Sequence, residues 1–288
     1  MSKPRVAFLG LGIMGSGMAR RLLANGFPVA VFNRDPQKAG AFADAGARVA
    51  TSARDAAAGA EVIISMVADD TASRAMWLGE NGALSAAAPG TVCIDSSTVT
   101  VDWVRELSAA VEAQKCEFLD APVTGSKNQA GSGELNFLVG GSAGTLEKVQ
   151  PVLAAMSKSI TLVGPVGSGA LIKLINNFVC GVQAAALAEA FALITREKLD
   201  PAKALPLLLN GAPGSPLCKT LATRHTTSDP TIYFQLQLMA KDLRYAVAEA
   251  KAHGLNLATA QAAQSTFDAA TAAGLGEGDM SGIIKYLA

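Results

Sequence analysis

The sequence has little charge and no apolar run long enough to cross a membrane. Only 17% of its 288 residues are charged, and Lys+Arg balance Asp+Glu at 24 each. This zero formal net charge argues against a protein that binds nucleic acid or an anionic membrane by bulk electrostatics. No stretch reaches the ~18 consecutive apolar residues of a membrane span, and the N-terminal MSKPRVAFLG lacks the apolar segment of a signal peptide. Half of the residues are hydrophobic, so we expect a globular protein without nucleic-acid or membrane partners.

Histidine and cysteine are also scarce. The two histidines, His225 and His253, are far apart, which excludes a His-rich metal site. We expect His225 in a polar loop and His253 at a helix end, in structural or surface roles. The four cysteines form no CxxC pair, which favours free thiols and a cytoplasmic location; they are Cys93, Cys116, Cys180 and Cys218.

Alternating strand and helix patterns fill the first part of the chain. The run Arg5 to Leu9 predicts a buried strand, the next segment a helix, and Pro28 to Phe32 a second strand. The alternation continues to about Gly164 and predicts an α/β domain with a Rossmann-type, doubly wound sheet. A long helix, Ser168 to Lys198, and further helical patterns follow. We therefore predict a dinucleotide-binding domain at 1–166 and an all-α domain for substrate binding and oligomerisation at 167–288.

A glycine-rich turn follows the first predicted strand and opens the first helix. Gly10, Gly12 and Gly15 form the pattern GxGxxG. The first glycine permits a tight turn, the second lets the backbone approach a pyrophosphate, and the third lets helix and strand pack closely. A lone GxGxxG is a weak signal, because an ordinary Gly-rich turn has the same pattern. Here the strand and helix around it favour a dinucleotide site.

The residues after the second strand indicate which dinucleotide binds. NAD sites carry Asp or Glu there for the ribose 2′-hydroxyl, whereas this chain has Asn33 followed by Arg34. Arg34 can make charge-assisted bonds to a 2′-phosphate, which favours NADP (NADPH). Two alternatives stay open: Asp35 could serve an NAD ribose, and Arg34 could be a solvated cation.

Lys173 and Asn177 are candidates for the chemistry. A carbonyl that receives a hydride needs a proton donor. These two residues lie four apart, on one face of an otherwise apolar helix. A desolvated lysine is a usable acid near neutrality, although a lysine on such a helix can also extend its amine to solvent.

Two polar segments follow predicted strands. They are DSST at 95–98 and DAPVTGS at 120–126. The carboxyl ends of parallel strands are where such folds bind ligands, and hydroxyls with backbone N–H groups suit a carboxylate. Taken alone, such clusters are also typical of plain turns.

The whole chain resembles the β-hydroxyacid dehydrogenase family, which includes 3-hydroxyisobutyrate dehydrogenases and glyoxylate/succinic semialdehyde reductases. The resemblance is carried by GLGIMGSGMARRL at 10–22, DSST at 95–98, DAPVTGS at 120–126, GSGALIKLINN at 167–177, KDL at 241–243 and DMSGIIKYL at 279–287. Several ordered motifs are far more specific than one. The resemblance implies a Rossmann domain and a helical domain joined by a long helix.

The same resemblance implies roles for individual residues. Lys173 is the general acid in reduction and the base in oxidation, and Asn177 assists it. The implied cofactor contacts are Gly10, Gly12, Ile13, Met14, Gly15, Asn33, Arg34, Val67, Ala68, Thr98 and Lys241. The implied substrate contacts are Thr98, Val123, Thr124, Gly125, Phe234 and Asp242. No metal is implied.

Two features favour the glyoxylate/succinic semialdehyde reductase branch. Asn33-Arg34 looks like its NADPH-selecting pair, and SKNQA at 126–130 resembles a stretch found there. We therefore expect reduction of a small carboxylate-bearing aldehyde to a hydroxy acid by a homo-dimer or homo-tetramer. The family commonly has Ser where this chain has Thr124, which affects substrate choice. The alternatives are an NAD-dependent 3-hydroxyisobutyrate-type dehydrogenase and a non-catalytic dinucleotide-binding module.

Overall fold

The computed structural model describes residues 3–287 and divides the chain into two compact units. One unit ends at Lys173 and the other begins at Leu174. The division lies inside the long helix Ser168–Arg196, whereas the sequence predicts the boundary between 166 and 167, before that helix begins.

The first unit alternates strands and helices around one sheet. Its strands are β1 (Val6–Leu9), β2 (Val29–Phe32), β3 (Arg48–Val49), β4 (Val62–Ser65), β5 (Val92–Asp95), β6 (Glu117–Asp120), β7 (Val123–Thr124), β8 (Leu135–Gly141) and β9 (Ser157–Gly164). Its helices are α1 (Ile13–Ala24), α2 (Pro36–Gly40), α3 (Ala53–Ala57), α4 (Asp70–Leu78), α5 (Val101–Ala113), α6 (Lys127–Ser132) and α7 (Ala143–Ala154), with a 3₁₀ turn at Ala83–Ala86. The strand order is β3-β2-β1-β4-β5-β6-β8-β7, with β9 beside β8.

The central strands explain the position of the site. β1, β4 and β5 are buried at every residue, as expected for parallel strands covered on both faces. β1 to β6 pair in parallel, so the strands next to one another at the centre end at the same edge. The chain order reverses between β2-β1 and β4-β5, which makes this edge the usual ligand site of such sheets. The predicted doubly wound, Rossmann-type unit is confirmed.

Some local elements depart from a simple alternation of strand and helix. The helix α2 is short and ends at Gly40, and turns follow up to Gly46, whose φ is +87°. The segment after β7 forms α6, because Gln129 accepts hydrogen bonds from both the N–H and the hydroxyl of Ser126. β8 is antiparallel to β6 and β7, while the other paired strands are parallel.

The second unit is helical, as predicted. Its helices are α8 (Ser168–Arg196, which begins in the first unit), α9 (Pro201–Asn210), α10 (Pro216–Thr226), α11 (Leu236–Ala252), α12 (Ala258–Ala270) and α13 (Gly282–Leu287), with a π-helical turn at Thr271–Leu275. Its core packs Ala188 and Phe191 of α8 against residues such as Leu221, Leu243 and Phe267 of the other helices. No membrane span was expected from the sequence, because that expectation was based on consecutive apolar residues. By length and mean hydropathy α8 is apolar enough to cross a membrane, a property that core helices of soluble proteins share.

Both histidines of the second unit lie at helix ends. The prediction that His225 lies in a loop is wrong, because α10 continues through it to Thr226. Its ring contacts that of Phe191 edge-on at 5.2 Å, and burial lowers the pKa of His225. His253 ends α11, as predicted, and contacts Glu249 at 3.1 Å.

One side of α8 carries exposed apolar side chains. Leu171, Ile175 and Val179 lie four residues apart and are 38–42% exposed. Their spacing places them on one stripe of the helix. The homo-dimer or homo-tetramer stays a prediction.

The contact between α1 and α6 can be tested by adding one methyl group. A Cβ on Gly17 of α1 would lie 2.8 Å from the carbonyl carbon of Ala130 in α6. We expect Gly17→Ala to lower the free energy of unfolding by about 1–3 kcal/mol, because the added group overpacks a backbone contact. Urea titration followed by circular dichroism measures this change.

The matched control is Gly131→Ala in α6, next to Ala130. A Cβ on Gly131 meets no atom within 4 Å, so alanine gains helix propensity without a clash. We expect it to raise stability by about 0.5–1 kcal/mol. Equal effects of the two substitutions would contradict the packing described here.

Candidate active site

The glycine-rich turn after β1 has the close contacts that its pattern predicts. Gly10 has a φ of +96°, and a Cβ there would lie 2.3 Å from the carbonyl oxygen of Met66. A Cβ on Gly15 would lie 2.0 Å from the carbonyl oxygen of Gly10. A Cβ on Gly12, by contrast, meets no atom within 4 Å. The turn therefore packs tightly against its neighbours at Gly10 and Gly15 and is open at Gly12. An approaching phosphate group requires this open space.

The start of α1 offers backbone donors beside this opening. Gly12 is its N-cap, and no side chain among residues 3–287 caps the helix there. Ile13 and Met14 form its first turn. The first N–H groups of a helix lack partners within the helix and carry partial positive charge. These residues fit the pyrophosphate of a dinucleotide.

The end of β2 is organised by Asn33 and Asp35. The side-chain oxygen of Asn33 accepts a hydrogen bond from the N–H of Leu11 at 2.8 Å, and its amide nitrogen donates to the carbonyl of Asp35. Asp35 caps α2 by accepting the N–H of Gln37 at 3.0 Å. Asn33 thus fixes the glycine-rich turn to β2, and Arg34, between the two, is exposed.

The loops that follow β4 and β5 are tied together. The N–H of Val67 donates to the hydroxyl of Ser97 at 2.9 Å, and the N–H of Ser97 donates to the carboxylate of Asp95 at 2.8 Å. Ser73 of α4 donates to the other oxygen of Asp95. A Cβ on Gly10 would lie 2.9 Å from Val67, so the predicted contact Val67 borders the glycine-rich turn, and Ala68 follows it in the chain. Thr98 follows directly in the loop held by Asp95.

The segment 122–126 forms a short strand and a turn. Thr124 pairs with Asn136 across β7 and β8, and its hydroxyl accepts from the Asn136 amide at 3.4 Å. Gly125 has a φ of +117°, a conformation that a side chain would strain. Val123 is buried, whereas Thr124 is half-buried and Gly125 is exposed. The turn thus presents Thr124 and the backbone of Gly125.

Asp120, at the end of β6, holds the first turn of α8. Its two carboxylate oxygens accept the N–H groups of Gly167 and Ala170, each at 2.8 Å. Burial raises the pKa of Asp120 to about 6, while these backbone hydrogen bonds act in the opposite direction. The carboxylate form therefore prevails at neutral pH. The sequence showed Asp120 as part of a motif but gave no sign of this contact.

Lys173 and Asn177 share one face of α8, as predicted from their spacing. Lys173 is half-buried and closes the first unit. In the second unit, Asn177 is buried and donates to the carboxylate of Asp242 at 2.5 Å. The second oxygen of Asp242 lies 3.0 Å from the amine of Lys241, which is also buried. The predicted residues Asn177, Lys241 and Asp242 thus form one connected polar group.

Phe234 lies in a loop fixed by Asp279. One carboxylate oxygen of Asp279 accepts the N–H groups of Tyr233 at 2.9 Å and Phe234 at 3.1 Å. Arg224 lies 3.4 Å from the other oxygen and stacks on the ring of Tyr233 at 3.8 Å. Phe234 is half-buried against the core of the second unit. Asp279 and Arg224 hold this loop. The motif at 279–287 includes Asp279, but Arg224 was not identified from the sequence.

Comparison with known proteins assigns both parts of the chain. Residues 5–164 match the family described as the NAD binding domain of 6-phosphogluconate dehydrogenase. Residues 167–287 match the family described as NAD-binding of NADP-dependent 3-hydroxyisobutyrate dehydrogenase.

Full-length relatives give the same assignment. The chain is 35% identical to a NAD-dependent L-serine dehydrogenase of Pseudomonas aeruginosa, over 98% of this chain and 97% of that protein. It is 33% identical to glyoxylate/succinic semialdehyde reductase 2, chloroplastic, of Arabidopsis thaliana, over 98% and 79%. The structure of Mycobacterium tuberculosis 3-hydroxyisobutyrate dehydrogenase with L-serine matches with a TM-score of 0.89 and 33% identity, over 99% of each chain. The chain therefore belongs to the 3-hydroxyisobutyrate dehydrogenase family of pyridine nucleotide-dependent hydroxyacid dehydrogenases.

Proposed function

We propose that the protein is an NADPH-dependent reductase of small aldehyde acids such as glyoxylate and succinic semialdehyde. The observation that carries the proposal is the arrangement at the end of β2, where Arg34 is exposed and the carboxylate of Asp35 caps α2. The chain also has Lys173 and Asn177 on one face of α8. The amine of Lys173 and the amide of Asn177 are groups that a catalytic member of the family needs. A non-catalytic dinucleotide-binding module would not need them.

The cofactor preference follows from charge at the end of β2. An Asp or Glu in this place binds the ribose hydroxyls of NAD and repels the 2′-phosphate of NADP. Asn33 is neutral and engaged with Leu11, while Asp35 is engaged with Gln37. The Arg34 guanidinium can donate charge-assisted hydrogen bonds to a 2′-phosphate.

The proposed chemistry uses the residues of α8. When bound, NADPH supplies a hydride from C4 of its nicotinamide to the aldehyde carbon. The protonated Lys173 amine donates a proton to the carbonyl oxygen as charge develops there and becomes neutral. Asn177 is held by Asp242, which fixes its amide orientation. In the direction of oxidation, the neutral Lys173 amine accepts the proton of the substrate hydroxyl.

The proposed substrate carboxylate lies at the loops after β5 and β7. Thr98 and Thr124 have hydroxyl groups there, and Gly125 is an exposed residue with a backbone N–H. Such donors suit a carboxylate. The relative from Arabidopsis thaliana, whose name gives glyoxylate and succinic semialdehyde as substrates, supports this substrate class.

The second candidate is NAD-dependent oxidation of a 3-hydroxy acid. The observation that favours it is the 35% identity to a NAD-dependent L-serine dehydrogenase, which is as high as the identity to the plant reductase. Overall identity thus does not separate the two activities, whereas cofactor selectivity does.

Removal of the Arg34 guanidinium tests the cofactor proposal. We expect Arg34→Ala to raise the KM for NADPH by about 10- to 100-fold, because hydrogen bonds to charged groups contribute about 1.5–3 kcal/mol. The KM for NADH should change little. Initial rates at fixed glyoxylate measure both values. Arg105→Ala, which removes an exposed cation from α5, is the control. Equal losses with the two cofactors would contradict the assignment.

Removal of the Lys173 amine tests the proton donor. We expect Lys173→Met, which keeps an unbranched chain, to lower kcat by about 10²- to 10⁴-fold with glyoxylate and with succinic semialdehyde. The Kd for NADPH, measured by fluorescence titration, should stay within about twofold, because Lys173 makes no proposed contact with its phosphates. Turnover at the parental rate would exclude Lys173 as the acid.

The extra methyl group of Thr124 provides a test of substrate size. We expect Thr124→Ser to raise kcat/KM for succinic semialdehyde by about tenfold, because removal of one methyl group gives a longer substrate more room. Serine keeps the hydroxyl that accepts from Asn136. Glyoxylate, which is shorter, serves as the internal control. A change of the same size for both aldehydes would show that Thr124 does not discriminate between them.

A further inference from the structure

The Asp120 carboxylate is a buried charged group that the proposed proton transfer does not use. It is 1% exposed and accepts the N–H groups of Gly167 and Ala170. An ionised carboxylate is an acceptor only, so both of its oxygens can accept backbone N–H groups. The first N–H groups of a 29-residue helix also form the positive end of its dipole, which an anion stabilises. Asp120 therefore fixes the start of α8 at two points.

The first turn of α8 packs closely against the strands around Asp120. A Cβ on Gly140 of β8 would lie 2.4 Å from one carboxylate oxygen of Asp120, so this glycine leaves room for the carboxylate. A Cβ on Gly169, in the first turn of α8, would lie 2.4 Å from the carbonyl oxygen of Leu138 and 2.7 Å from that of Asp120. Gly169 thus allows α8 to contact the backbone of β6 and β8 directly. This contact lies entirely within the first unit.

Lys173 follows the anchored turn closely along the helix. It lies three residues beyond Ala170, a rise of about 4.5 Å at 1.5 Å per residue. A helix transmits a rotation of its first turn to the next one. We infer that Asp120 is a positioning residue, which sets the location of the Lys173 amine by holding the first turn of α8. The inference rests on the proposed role of Lys173.

The test combines Asp120→Asn with Lys173→Met. The carboxamide keeps the size of the side chain but has one acceptor oxygen, and its NH₂ group then faces an N–H donor. We expect Asp120→Asn to lower kcat for glyoxylate by about 10- to 100-fold, because displacement of a catalytic group by about 1 Å has effects of this size. In the Lys173→Met background the same change should lower kcat by less than about twofold, because coupled residues do not act additively.

Hydrogen–deuterium exchange provides a readout that does not depend on activity. The amides of Gly167 and Ala170 should exchange faster in Asp120→Asn, while the Kd for NADPH stays unchanged. Ser142→Ala is the control, because Ser142 caps α7 by accepting the N–H of Thr145. It should lower Tm without changing kcat. Asp120→Ser, a smaller side chain with one acceptor, replaces Asp120→Asn if the latter does not fold.

The outcomes separate the inference from the function on which it rests. Faster exchange together with a loss of kcat that needs Lys173 supports positioning. An equal loss of kcat in both backgrounds, or unchanged exchange at Gly167 and Ala170, overturns it. If Lys173→Met alone keeps the parental kcat, the proposed function fails, and the positioning role fails with it.

Discussion

The carboxylate of Asp120 is the contact on which the proposed chemistry of this fold depends. It converts the end of a buried strand into the cap of α8, the helix that carries Lys173. Its register partner on the next strand, Asp95, is equally buried and holds the loop before Thr98. Two neighbouring strand ends thus use the same chemistry, a buried carboxylate that accepts backbone N–H groups. In both cases the carboxylate orders the polypeptide that the proposed reaction needs, and neither aspartate has an assigned role in the reaction itself.

The proposed cofactor site combines close packing with an open surface. Gly10 and Gly15 remove side chains where backbones meet, while Gly12 leaves free space at the uncapped start of α1. Asn33 links this turn to β2. It stands where NAD sites carry Asp or Glu, so this residue has a structural function as well. The proposed preference for a phosphorylated ribose rests on the charge of Arg34, since Asp35 caps α2.

Much of this arrangement can be predicted from the sequence, because its strongest signals are local. A continuous apolar run between Pro4 and Gly10 specifies β1, and the spacing of Lys173 and Asn177 places them on one helical face. The contacts of Asp95, Asp120 and Asp279 could not be predicted, since each joins segments far apart in the chain. The helix α6 was not predicted, although Ser126 and Gln129 have capping-box spacing, because it has only six residues and contains a glycine. His225 was predicted to lie in a loop because its neighbours in the sequence are polar. It lies in the last turn of α10 instead, where its ring contacts Phe191.

The most direct test of the central claim is a comparison of initial rates in the two directions of the reaction. The protein is assayed with glyoxylate or succinic semialdehyde and either NADPH or NADH, and separately with L-serine or 3-hydroxyisobutyrate and either NADP⁺ or NAD⁺. The account predicts that kcat/KM is highest for an aldehyde acid with NADPH, because Arg34 favours the 2′-phosphate. A higher kcat/KM for oxidation of a 3-hydroxy acid with NAD⁺ would contradict it.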